Sequence, residues 1–363
     1  MHMYNYTSAE RKAWNLIEIP FEALMRPVRY AEVKEIVIMF GYNVARHPVL
    51  NLPMICLWSE LDRFRSAEVR LVPEYGSDIC SFIVDGIEYL HQGFSDVAGM
   101  KFFGIPMMYP FPNRIDGCKV EFNGETYRLP DTDNGRTLHG LISAAPFTFE
   151  TPVLTDESIS IKTSLTIDPG HPLYAVFPIA NRLELTTTLE SGSLTIQAKI
   201  MNLDSTKRLP FGFGIHPYFN ALGMKKDILI RVPAKGYMPA NRLIPTGKIV
   251  SMEEGPADLR GLTPLDKLDL DDLWWGMEPL KPMEIYYESI KRKVSIFASD
   301  IFTHAVTYTP AAQGFFCLEN QTNATDAVRL YQDGYQDAAH LIILDPGESI
   351  AGKIRIQVEA LRE

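Results

Sequence analysis

The sequence predicts an all-β protein built as a large antiparallel β-sandwich, and three observations support this prediction. From residue 67 onward, short runs of alternating apolar and polar residues recur, separated by Gly, Pro, Asp and Asn. Such alternation is typical of half-buried strands, whereas helical periodicity is scarce in the same region. The chain of 363 residues is 46% hydrophobic, which is enough for a large core. We therefore predict one main domain over residues 67–363.

The predicted strands follow one another with turn signals between them. Asp85-Gly86 and Asn123-Gly124 are typical two-residue hairpin turns. The predicted strands are Glu68–Val72, Ile79–Val84, Glu88–Leu90, Lys119–Phe122, Thr126–Leu129, Ser158–Ile167, Asn181–Leu189, Ser193–Met201, Ile228–Val232, Lys291–Ala298, Ala305–Thr309, Gly314–Leu318, Leu341–Leu344 and Ala351–Glu359.

Residues 1–66 are predicted to form an N-terminal extension that packs on the main domain. The segment Thr7–Glu10 matches a capping box, which predicts a short helix that continues to about residue 17. Further along, Glu32–Phe40 is interpreted as a strand, and Trp58–Phe64 as a short helix or an irregular turn.

Composition and charge narrow the possible classes of function. The net charge is −10 with acids and bases interspersed, which argues against nucleic acid binding because that requires a basic surface. No run of about 18 apolar residues and no secretory signal is visible. The four widely spaced cysteines are interpreted as reduced, buried residues. We therefore expect a cytoplasmic monomer or homodimer whose partner is a small, neutral or weakly polar molecule, with no membrane.

Familiar cofactor and metal motifs are missing from the sequence. Gly212-Phe-Gly214 lacks the third glycine of a dinucleotide-binding loop, because Pro217 occupies that place. The eight histidines are scattered, and none forms a pair at the spacing of a zinc-binding helix. We predict neither a metal nor another cofactor.

The stretch Phe211–Asn220 contains the first candidate for catalysis, His216. If this stretch forms one strand, His216 shares a face with Gly212 and Gly214. The two glycines would then clear a space in which a ligand lies close to the backbone. Pro217 favours an extended conformation of His216 and restricts the direction of the imidazole. A histidine in a strand is more often structural than catalytic. The case for a catalytic His216 therefore depends on the other residues of the site.

Glu319 is the second candidate, at the end of the predicted strand Gly314–Leu318. Because side chains alternate between the two faces of a strand, Glu319 shares a face with Phe315 and Cys317. A carboxylate on that apolar face costs free energy unless it has a partner. Partial desolvation would raise its pKa and make it a usable base near neutral pH.

Three further polar groups stand in apolar or turn contexts. Arg114, preceded by Asn113, closes a run rich in proline and aromatic residues. It is either half of a structural ion pair or a donor of paired hydrogen bonds to ligand oxygens. For His139, which precedes a strand, a structural role is the ordinary interpretation. For Asp271-Asp272, beside two tryptophans, the ordinary interpretation is a turn or a cap.

From about Val69 to its end, the chain resembles the aldose 1-epimerases, the galactose mutarotase-like proteins. Residues 1–66 have no counterpart in that family. Five motifs in family order support the resemblance: Gly104-Ile-Pro…Pro112-Asn-Arg-Ile115, Leu138-His-Gly140, Gly214-Ile-His-Pro-Tyr-Phe219, Leu270-Asp-Asp272, and Tyr308-Thr-Pro310…Cys317-Leu-Glu319.

The resemblance implies a galactose mutarotase-like β-sandwich with a sugar cleft on one sheet face, and an aldose 1-epimerase that interconverts sugar anomers. It implies Glu319 as general base and His216 as general acid, which we expect at opposite ends of a pyranose-sized gap. Glu319 is then ionised while His216 is protonated. The implied substrate-binding residues are Asn113, Arg114, His139 and one aspartate of the Leu-Asp-Asp motif, for which we choose Asp271 over Asp272.

Two alternatives within the same fold remain open. A hexose-6-phosphate 1-epimerase would need cations at the rim of the cleft, for which Arg65, Arg136, Lys225 and Lys226 are the candidates. A non-catalytic sugar-binding protein would keep the cleft without turnover, and the intact pair of Glu319 and His216 argues against it.

Overall fold

The computed structural model describes residues 30–33, 36–61, 65–92, 94–95, 101–102 and 104–361. The helix predicted from Thr7–Glu10 lies outside these residues. Strands dominate the described chain, as predicted, and the strands are organised in antiparallel sheets.

The first sheet has six strands in the order of the sequence. They are β1 (Tyr30–Val33), β2 (Ile36–Arg46), β3 (Pro53–Leu61), β4 (Arg65–Val72), β5 (Asp78–Val84) and β6 (Ile87–Glu88). Since β3 pairs with β4, residues on both sides of position 66 share one sheet. The division of the chain at that position stays a prediction.

Two predictions for the N-terminal segment are wrong within the described residues. Trp58 lies in β3 rather than in a helix or turn, and its strand partner is Glu68. The strand predicted at Glu32–Phe40 is divided between β1 and β2, which pair with each other in antiparallel fashion. Pairing with a neighbouring strand is a long-range property that local patterns do not report.

Short strands follow, and then three long ones. They are β7 (Phe94–Ser95), β8 (Lys101–Phe102), β9 (Met107–Met108), β10 (Arg114–Asp116), β11 (Lys119–Phe122), β12 (Glu125–Arg128), β13 (Arg136–Leu138), β14 (Thr148–Phe149), β15 (Val153–Leu154), β16 (Ser158–Ile167), β17 (Asn181–Glu190) and β18 (Ser193–Asn202). The bounds predicted for β11 and β16 are confirmed at both ends. In β16, residues alternate between buried and half-buried, as expected for a strand with one face on the core.

The remaining strands are β19 (Leu209–Phe211), β20 (Gly214–Ile215), β21 (Tyr218–Asn220), β22 (Ile228–Arg231), β23 (Gly236–Tyr237), β24 (Ala240–Asn241), β25 (Ile244–Pro245), β26 (Thr263–Pro264), β27 (Asp271–Trp275), β28 (Met283–Tyr287), β29 (Arg292–Ala298), β30 (His304–Tyr308), β31 (Phe315–Gln321), β32 (Ile342–Leu344) and β33 (Ser349–Ala360). Two short helices, α1 (Ala327–Gln332) and α2 (Gln336–Ala339), precede β32. Single 3₁₀ turns occur at Pro172–Ala175, Lys225–Asp227, Met252–Glu254, Leu265–Lys267 and Glu288–Ile290.

Two large sheets form the sandwich in the described part of the chain. The ten-stranded sheet has the order β14-β16-β17-β18-β33-β29-β28-β22-β26, with β15 on β16. The seven-stranded sheet has the order β23-β27-β30-β31-β20-β9, with β21 on β31. Ile196 of the first and Phe316 of the second belong to one buried cluster, which also includes Leu57 of the six-stranded sheet. The predicted β-sandwich is therefore confirmed.

Two segments that carry predicted site residues differ from their expected local structure. Asp271-Asp272 begins strand β27 rather than a turn, because Trp274 is buried in the core and its indole Nε1 donates to Thr307 Oγ1 at 2.9 Å. The stretch Phe211–Asn220 is three short strands rather than one. His216 falls between two of them, and its backbone N–H donates to the carbonyl oxygen of Pro106 at 3.0 Å.

None of the helices in the described ranges is long and apolar enough to span a membrane.

Candidate active site

One face of the seven-stranded sheet brings several predicted site residues together. Asp271 is paired with Tyr308, which is paired with Cys317, which is paired with Tyr218. Directly paired residues of antiparallel strands point to the same face, and so do residues two apart in one strand. Glu319, two residues beyond Cys317, therefore shares this face with Asp271 and Tyr218.

His216 and Glu319 are in direct contact on this face. Nε2 of His216 lies 3.2 Å from Oε1 of Glu319, and the two residues are 6% and 1% exposed. The expected pyranose-sized gap between the two side chains is therefore wrong. The two oxygens of a hemiacetal share one carbon atom, so groups that exchange protons with both oxygens must lie close together, as these two groups do.

Two aromatic rings hold the imidazole of His216 in place. The ring of Tyr218 stacks on it with centroids 4.4 Å apart and an interplanar angle of 8°, and the Tyr218 hydroxyl lies 3.5 Å from Nε2. The ring of His139 meets it edge-on, with centroids 5.0 Å apart. Burial and the nearby charge on Arg114 keep the pKa of His139 well below its ordinary value, so His139 is neutral.

The second oxygen of Glu319 is also bonded. Gln321 Nε2 donates to Glu319 Oε2 at 3.1 Å, and the Gln321 side chain is completely buried. The carboxyl group is thus held at both oxygens, one by an imidazole and one by an amide.

The glycines beside His216 make room for protein side chains rather than for a ligand. A Cβ atom added to Gly212 would lie 1.9 Å from Oδ1 of Asn323. One added to Gly214 would lie 2.9 Å from the Met108 Cε and 3.0 Å from the Gln321 Cγ. Since contacts under about 3 Å are not tolerated by a Cβ atom, the predicted ligand space over the glycines is already filled. Gly214 therefore leaves room for the side chains of Met108 and Gln321.

Arg114 is the centre of a network of polar contacts near His216 and Glu319. Its Nε donates to Asp133 Oδ2 at 3.0 Å, and its NH1 donates to Asn113 Oδ1 at 3.1 Å. Its NH2 lies 3.5 Å from Asp271 Oδ2. Asn113 adopts a left-handed conformation with φ of 60°, which asparagine tolerates better than most residues. The network therefore fixes the guanidinium while Asp271 stays partly accessible.

The two aspartates of the Leu-Asp-Asp motif lie in different surroundings. Asp271 approaches Arg114, whereas Asp272 Oδ1 accepts a hydrogen bond from the Tyr237 hydroxyl at 3.0 Å. Adjacent residues of a strand point to opposite faces, so only one of the two can line the same face as Glu319. The geometry supports the choice of Asp271, whose role in sugar binding stays a prediction.

Burial moves the pKa values of Glu319 and His216 in opposite directions. It raises the pKa of Glu319 well above its ordinary value, and the negative charge of Asp271 raises it further, while the hydrogen bond from Gln321 lowers it. Burial lowers the pKa of His216 to about 3, and the positive charge of Arg114 contributes to the lowering. The pair therefore holds one proton over a wide pH range, and burial favours its position on the carboxyl group. The expected state has Glu319 ionised and His216 protonated. It holds the same single proton, and has the same total charge, as the state in which both groups are neutral.

Three residues that the structure places in this site had no predicted role. Gln321 follows Glu319 by two residues in the same strand, so strand alternation would have found it. Tyr218 lies within the His-Pro-Tyr-Phe motif, whose tyrosine had no assigned role. Asp133 has no local signal, because it reaches Arg114 only through the pairing of β10 with β13.

Within the described ranges, no group of three or more His, Cys, Asp or Glu side chains is arranged to hold a metal ion. The absence of a cofactor from the reaction stays a prediction.

Comparison with known proteins defines the class to which this fold and this site belong. The family model of aldose 1-epimerase matches residues 63–357, so the chain belongs to the aldose 1-epimerase family. The chain is similar to the uncharacterized protein YihR of Escherichia coli (strain K12), with 28% identity over 132 residues. That match spans 35% of this chain and 40% of the relative.

Solved structures share the fold over most of the chain. A galactose mutarotase-like protein from Clostridium acetobutylicum has a TM-score of 0.74 and 18% identity, and the match covers 89% of this chain and 98% of that one. Galactose 1-epimerase from Lactobacillus acidophilus NCFM has a TM-score of 0.68 and 16% identity, covering 89% and 99%. At this level of identity the similarity establishes the galactose mutarotase-like fold, which was predicted from the sequence motifs.

Proposed function

We propose that this protein is an aldose 1-epimerase that interconverts the α and β anomers of a free aldose. The observation that supports this proposal best is the 3.2 Å contact between His216 Nε2 and Glu319 Oε1 in a buried part of the sheet face. An acid and a base in contact, with one proton between them, match the two proton transfers that hemiacetal opening requires.

The chemistry follows from the atoms of the sugar. Glu319 takes the proton of the anomeric hydroxyl, the bond between C1 and the ring oxygen breaks, and His216 gives a proton to the ring oxygen. The product is an open-chain aldehyde. After rotation about the C1–C2 bond, the hydroxyl formed from the ring oxygen attacks the other face of the carbonyl, and both protons return. Each such proton transfer typically contributes about 10²–10⁴-fold to the rate.

The ionised form of Glu319 that accepts this proton has specific support from its neighbours. The hydrogen bond from Gln321 and the positive charge of Arg114 both lower the pKa of Glu319, against the effect of burial. When the single proton lies on His216, the pair is ready for ring opening. Reclosure uses the same groups in the reverse direction, so no net proton is consumed.

The substrate-binding residues in this proposal are Asn113, Arg114, His139 and Asp271. The guanidinium of Arg114 and the carboxylate of Asp271 lie beside the catalytic pair, where they donate and accept hydrogen bonds with sugar hydroxyls. His139, neutral and packed against His216, adds a ring nitrogen on the same side.

The environment of the predicted rim cations favours a free aldose over a sugar phosphate. Arg136 NH2 pairs with Asp133 at 3.1 Å, and Lys226 Nζ pairs with Asp227 at 2.7 Å. Lys225 Nζ donates to two backbone carbonyl oxygens, at 2.8 and 2.9 Å. Each of these three cations already has a partner, so a phosphate group would compete with existing bonds.

Polarimetry with galactose, glucose and glucose 6-phosphate tests this proposal. We expect mutarotation of a free sugar to accelerate, and we expect Glu319→Gln and His216→Asn to remove the acceleration while sugar binding stays measurable. Matched controls are Glu157→Gln at an exposed position and His171→Asn at a half-buried one, for which we expect wild-type rates. Near-wild-type rates in either site variant would remove the assigned role. Activity on glucose 6-phosphate alone would support the sugar-phosphate alternative, and binding without turnover would support a binding protein.

A further inference from the structure

A polar cavity of about 720 Å³ lies beside the residues that we propose to bind the sugar, and the proposed reaction does not use it. Its walls come from the paired strands β10 and β13, the loop before β13, the hairpin of β24 and β25, and helix α1. Small-molecule binding sites typically have volumes of about 300–1,000 Å³. The cavity is therefore large enough for a ligand of its own.

The cavity follows Arg114 along strand β10. Asp116 lines the cavity two residues beyond Arg114, and the buried Ile115 lies between them. Residues two apart in a strand point to the same face and are about 7 Å apart. Pro245 lines both this cavity and a cavity of about 10 Å³ at Arg114 and Asp271. The larger cavity is thus the next space along β10 from the proposed sugar-binding groups.

Two arginines hold the hairpin wall of the cavity in place. Arg136 NH1 donates to the carbonyl oxygen of Arg242 at 2.9 Å. Arg329 NH2 donates to the carbonyl oxygen of Pro245 at 3.0 Å. Because these bonds come from two different elements, β13 and α1, the cavity keeps its shape without a ligand.

The charges around the cavity favour a neutral ligand. Arg136 NH2 lies 3.1 Å from Asp133 Oδ2, and Arg329 NH1 lies 3.0 Å from Asp333 Oδ2. The other two charged residues of the lining, one arginine and one aspartate, have opposite signs. A phosphate or sulfate group would therefore meet no excess of positive charge.

The lining also has hydrogen-bonding groups that the protein itself does not use. The side chains of Asn134, Asn241 and Arg242 have no hydrogen bond or ion pair with another residue of the described ranges, and the same holds for the carboxylate of Asp116. Together these groups both donate and accept, as sugar hydroxyls do. Ile244 adds apolar surface for the C–H groups of a sugar ring. The combination fits a neutral polyhydroxylated ligand.

The chemistry of ring opening determines which edge of a bound sugar faces the cavity. The bond that breaks joins C1 to the ring oxygen, so in the proposed function these two atoms lie at His216 and Glu319. The opposite bond of a six-membered sugar ring is C3–C4. With the C3 and C4 hydroxyls at Arg114 and Asp271, a substituent on either hydroxyl continues along β10 into the cavity.

We propose that this cavity is a subsite for a second sugar residue, and that the protein acts on reducing oligosaccharides linked 1→4 or 1→3 to the reducing-end aldose. This inference rests on the proposed epimerase function and names its substrate class. A sugar linked through C6 leaves the ring at C5, next to the ring oxygen, and does not reach the cavity in the same orientation. Since the subsite is remote from the reacting atoms, its contribution appears in KM rather than in kcat.

Disaccharides that differ only in their linkage test the proposal. The glucose pair is cellobiose, linked β-1→4, and gentiobiose, linked β-1→6. The galactose pair consists of the β-1→4 and β-1→6 galactobioses. In the pair whose monosaccharide the enzyme accepts, we expect polarimetric kcat/KM for the 4-linked sugar to exceed that for the 6-linked sugar by roughly tenfold or more, as two or more additional hydrogen bonds would produce.

Two variants locate the preference in the cavity. Asn241→Ala removes one amide, and Asn134→Gly removes another without straining the turn, because Asn134 has φ of 50°. In each variant we expect the ratio of the two kcat/KM values to fall by roughly threefold to tenfold, with the loss in KM. Asn51→Gly is the matched control, since Asn51 is also exposed and has φ of 57° but lies outside the cavity lining. We expect the wild-type ratio in this control.

The outcomes separate this inference from the proposed function. Turnover of the monosaccharide without a preference for the 4-linked disaccharide overturns the subsite and leaves the epimerase function standing. An unchanged ratio in both Asn134→Gly and Asn241→Ala also overturns the subsite, and so does an equal fall in Asn51→Gly.

Dissociation constants from calorimetric titration replace kcat/KM if no sugar is turned over. A preference for the 4-linked sugar that falls in Asn134→Gly and Asn241→Ala then supports the subsite in a protein that binds without turnover. The absence of binding by every monosaccharide and disaccharide of both pairs overturns both proposals.

Discussion

Nε2 of His216 and Oε1 of Glu319 are 3.2 Å apart, and the pair lies in a sheet face where the protein excludes most water. The contact couples the titrations of the two groups, so their pKa values describe the pair rather than either residue. The number of protons that His216 and Glu319 hold together therefore decides whether the pair can supply one acid and one base.

The pH profile of activity is the first prediction from this contact. The lowered pKa of His216, about 3, means that a second proton is added only in strong acid. The raised pKa of Glu319 means that the shared proton is lost only well above the ordinary carboxyl range. We expect a plateau of kcat/KM across neutral pH, with no decline around pH 6.5 on the acid side.

The measurement is kcat/KM by polarimetry over the pH range in which the protein stays folded, checked by circular dichroism. The spontaneous rate at each pH is subtracted. An acid limb with its midpoint near the ordinary histidine pKa would contradict the buried-pair description.

Gln321 is predicted to be a positioning residue for Glu319. In Gln321→Met the donor to Glu319 Oε2 is lost while the side chain volume is nearly kept. A hydrogen bond to a charged group contributes about 1.5–3 kcal/mol, so we expect kcat/KM to fall by roughly tenfold to a hundredfold. The bond lowers the pKa of Glu319, so its loss should also move the basic limb of the pH profile to higher pH.

The chain supplies a matched control for this variant. Gln357 Nε2 donates to Glu359 Oε1 at 3.1 Å, the same distance and the same two-residue spacing, on an exposed part of β33. We expect Gln357→Met to leave both the rate and the pH profile unchanged. A Gln321→Met enzyme with a lower rate but an unmoved basic limb would point to a structural role instead.

Gly214→Ala is predicted to act through Gln321. The added Cβ would lie 3.0 Å from Gln321 Cγ and 2.9 Å from Met108 Cε, so these side chains must give way, and we expect the Gln321 amide to move relative to Glu319. We expect kcat to fall by about as much as in Gln321→Met. The double variant should be little worse than either single one, because both changes remove the same interaction.

A double-mutant cycle of kcat values checks the prediction for Gly214→Ala. Gly314→Ala is the control, since a Cβ at that position meets nothing within 4 Å. Additive losses in the double variant would show that Gly214 acts on activity by another route.

Leu57→Ala tests whether the described part of the N-terminal segment is integral to the core. Leu57 is fully buried in β3, in the same cluster as residues of both large sheets. We expect the free energy of unfolding to fall by about 2–5 kcal/mol, as for other buried leucines. Urea unfolding should remain a single transition, because β3 pairs directly with β4.

Val44→Ala is the comparison for Leu57→Ala. Val44 lies in the neighbouring strand β2 and is 48% exposed, so we expect a change within about 0.5 kcal/mol. A separate early transition in Leu57→Ala, with the activity retained after it, would indicate that residues before 66 unfold independently.

Local patterns predicted the fold class and several strands correctly, because the alternation of apolar and polar residues in a strand is visible among neighbouring residues of the sequence. In β16 every second residue is buried, and the alternation in the sequence gave its bounds without any tertiary information. The ordered motifs likewise predicted the family, since each motif is short and contiguous. The helices α1 and α2 were not predicted, because six and four residues are too few to display helical periodicity.

Contacts between distant strands could not be predicted in the same way. Asp271 shares a sheet face with Glu319 because β27 pairs with β30 and β30 with β31, and Asp133 reaches Arg114 because β10 pairs with β13. Nothing near Asp133 in the sequence signals that contact. The direct contact of His216 with Glu319 likewise joins residues that are distant in the sequence, so local patterns did not predict it.

Burial explains the rest of the difference between expectation and structure. The sequence identified which residues carry acid and base groups, since side-chain type is a local property. It did not reveal that both groups lie almost completely out of water, where charge separation is costly and the shared proton moves to the carboxyl group. Desolvation depends on every atom packed around a group, and those atoms come from the whole length of the chain.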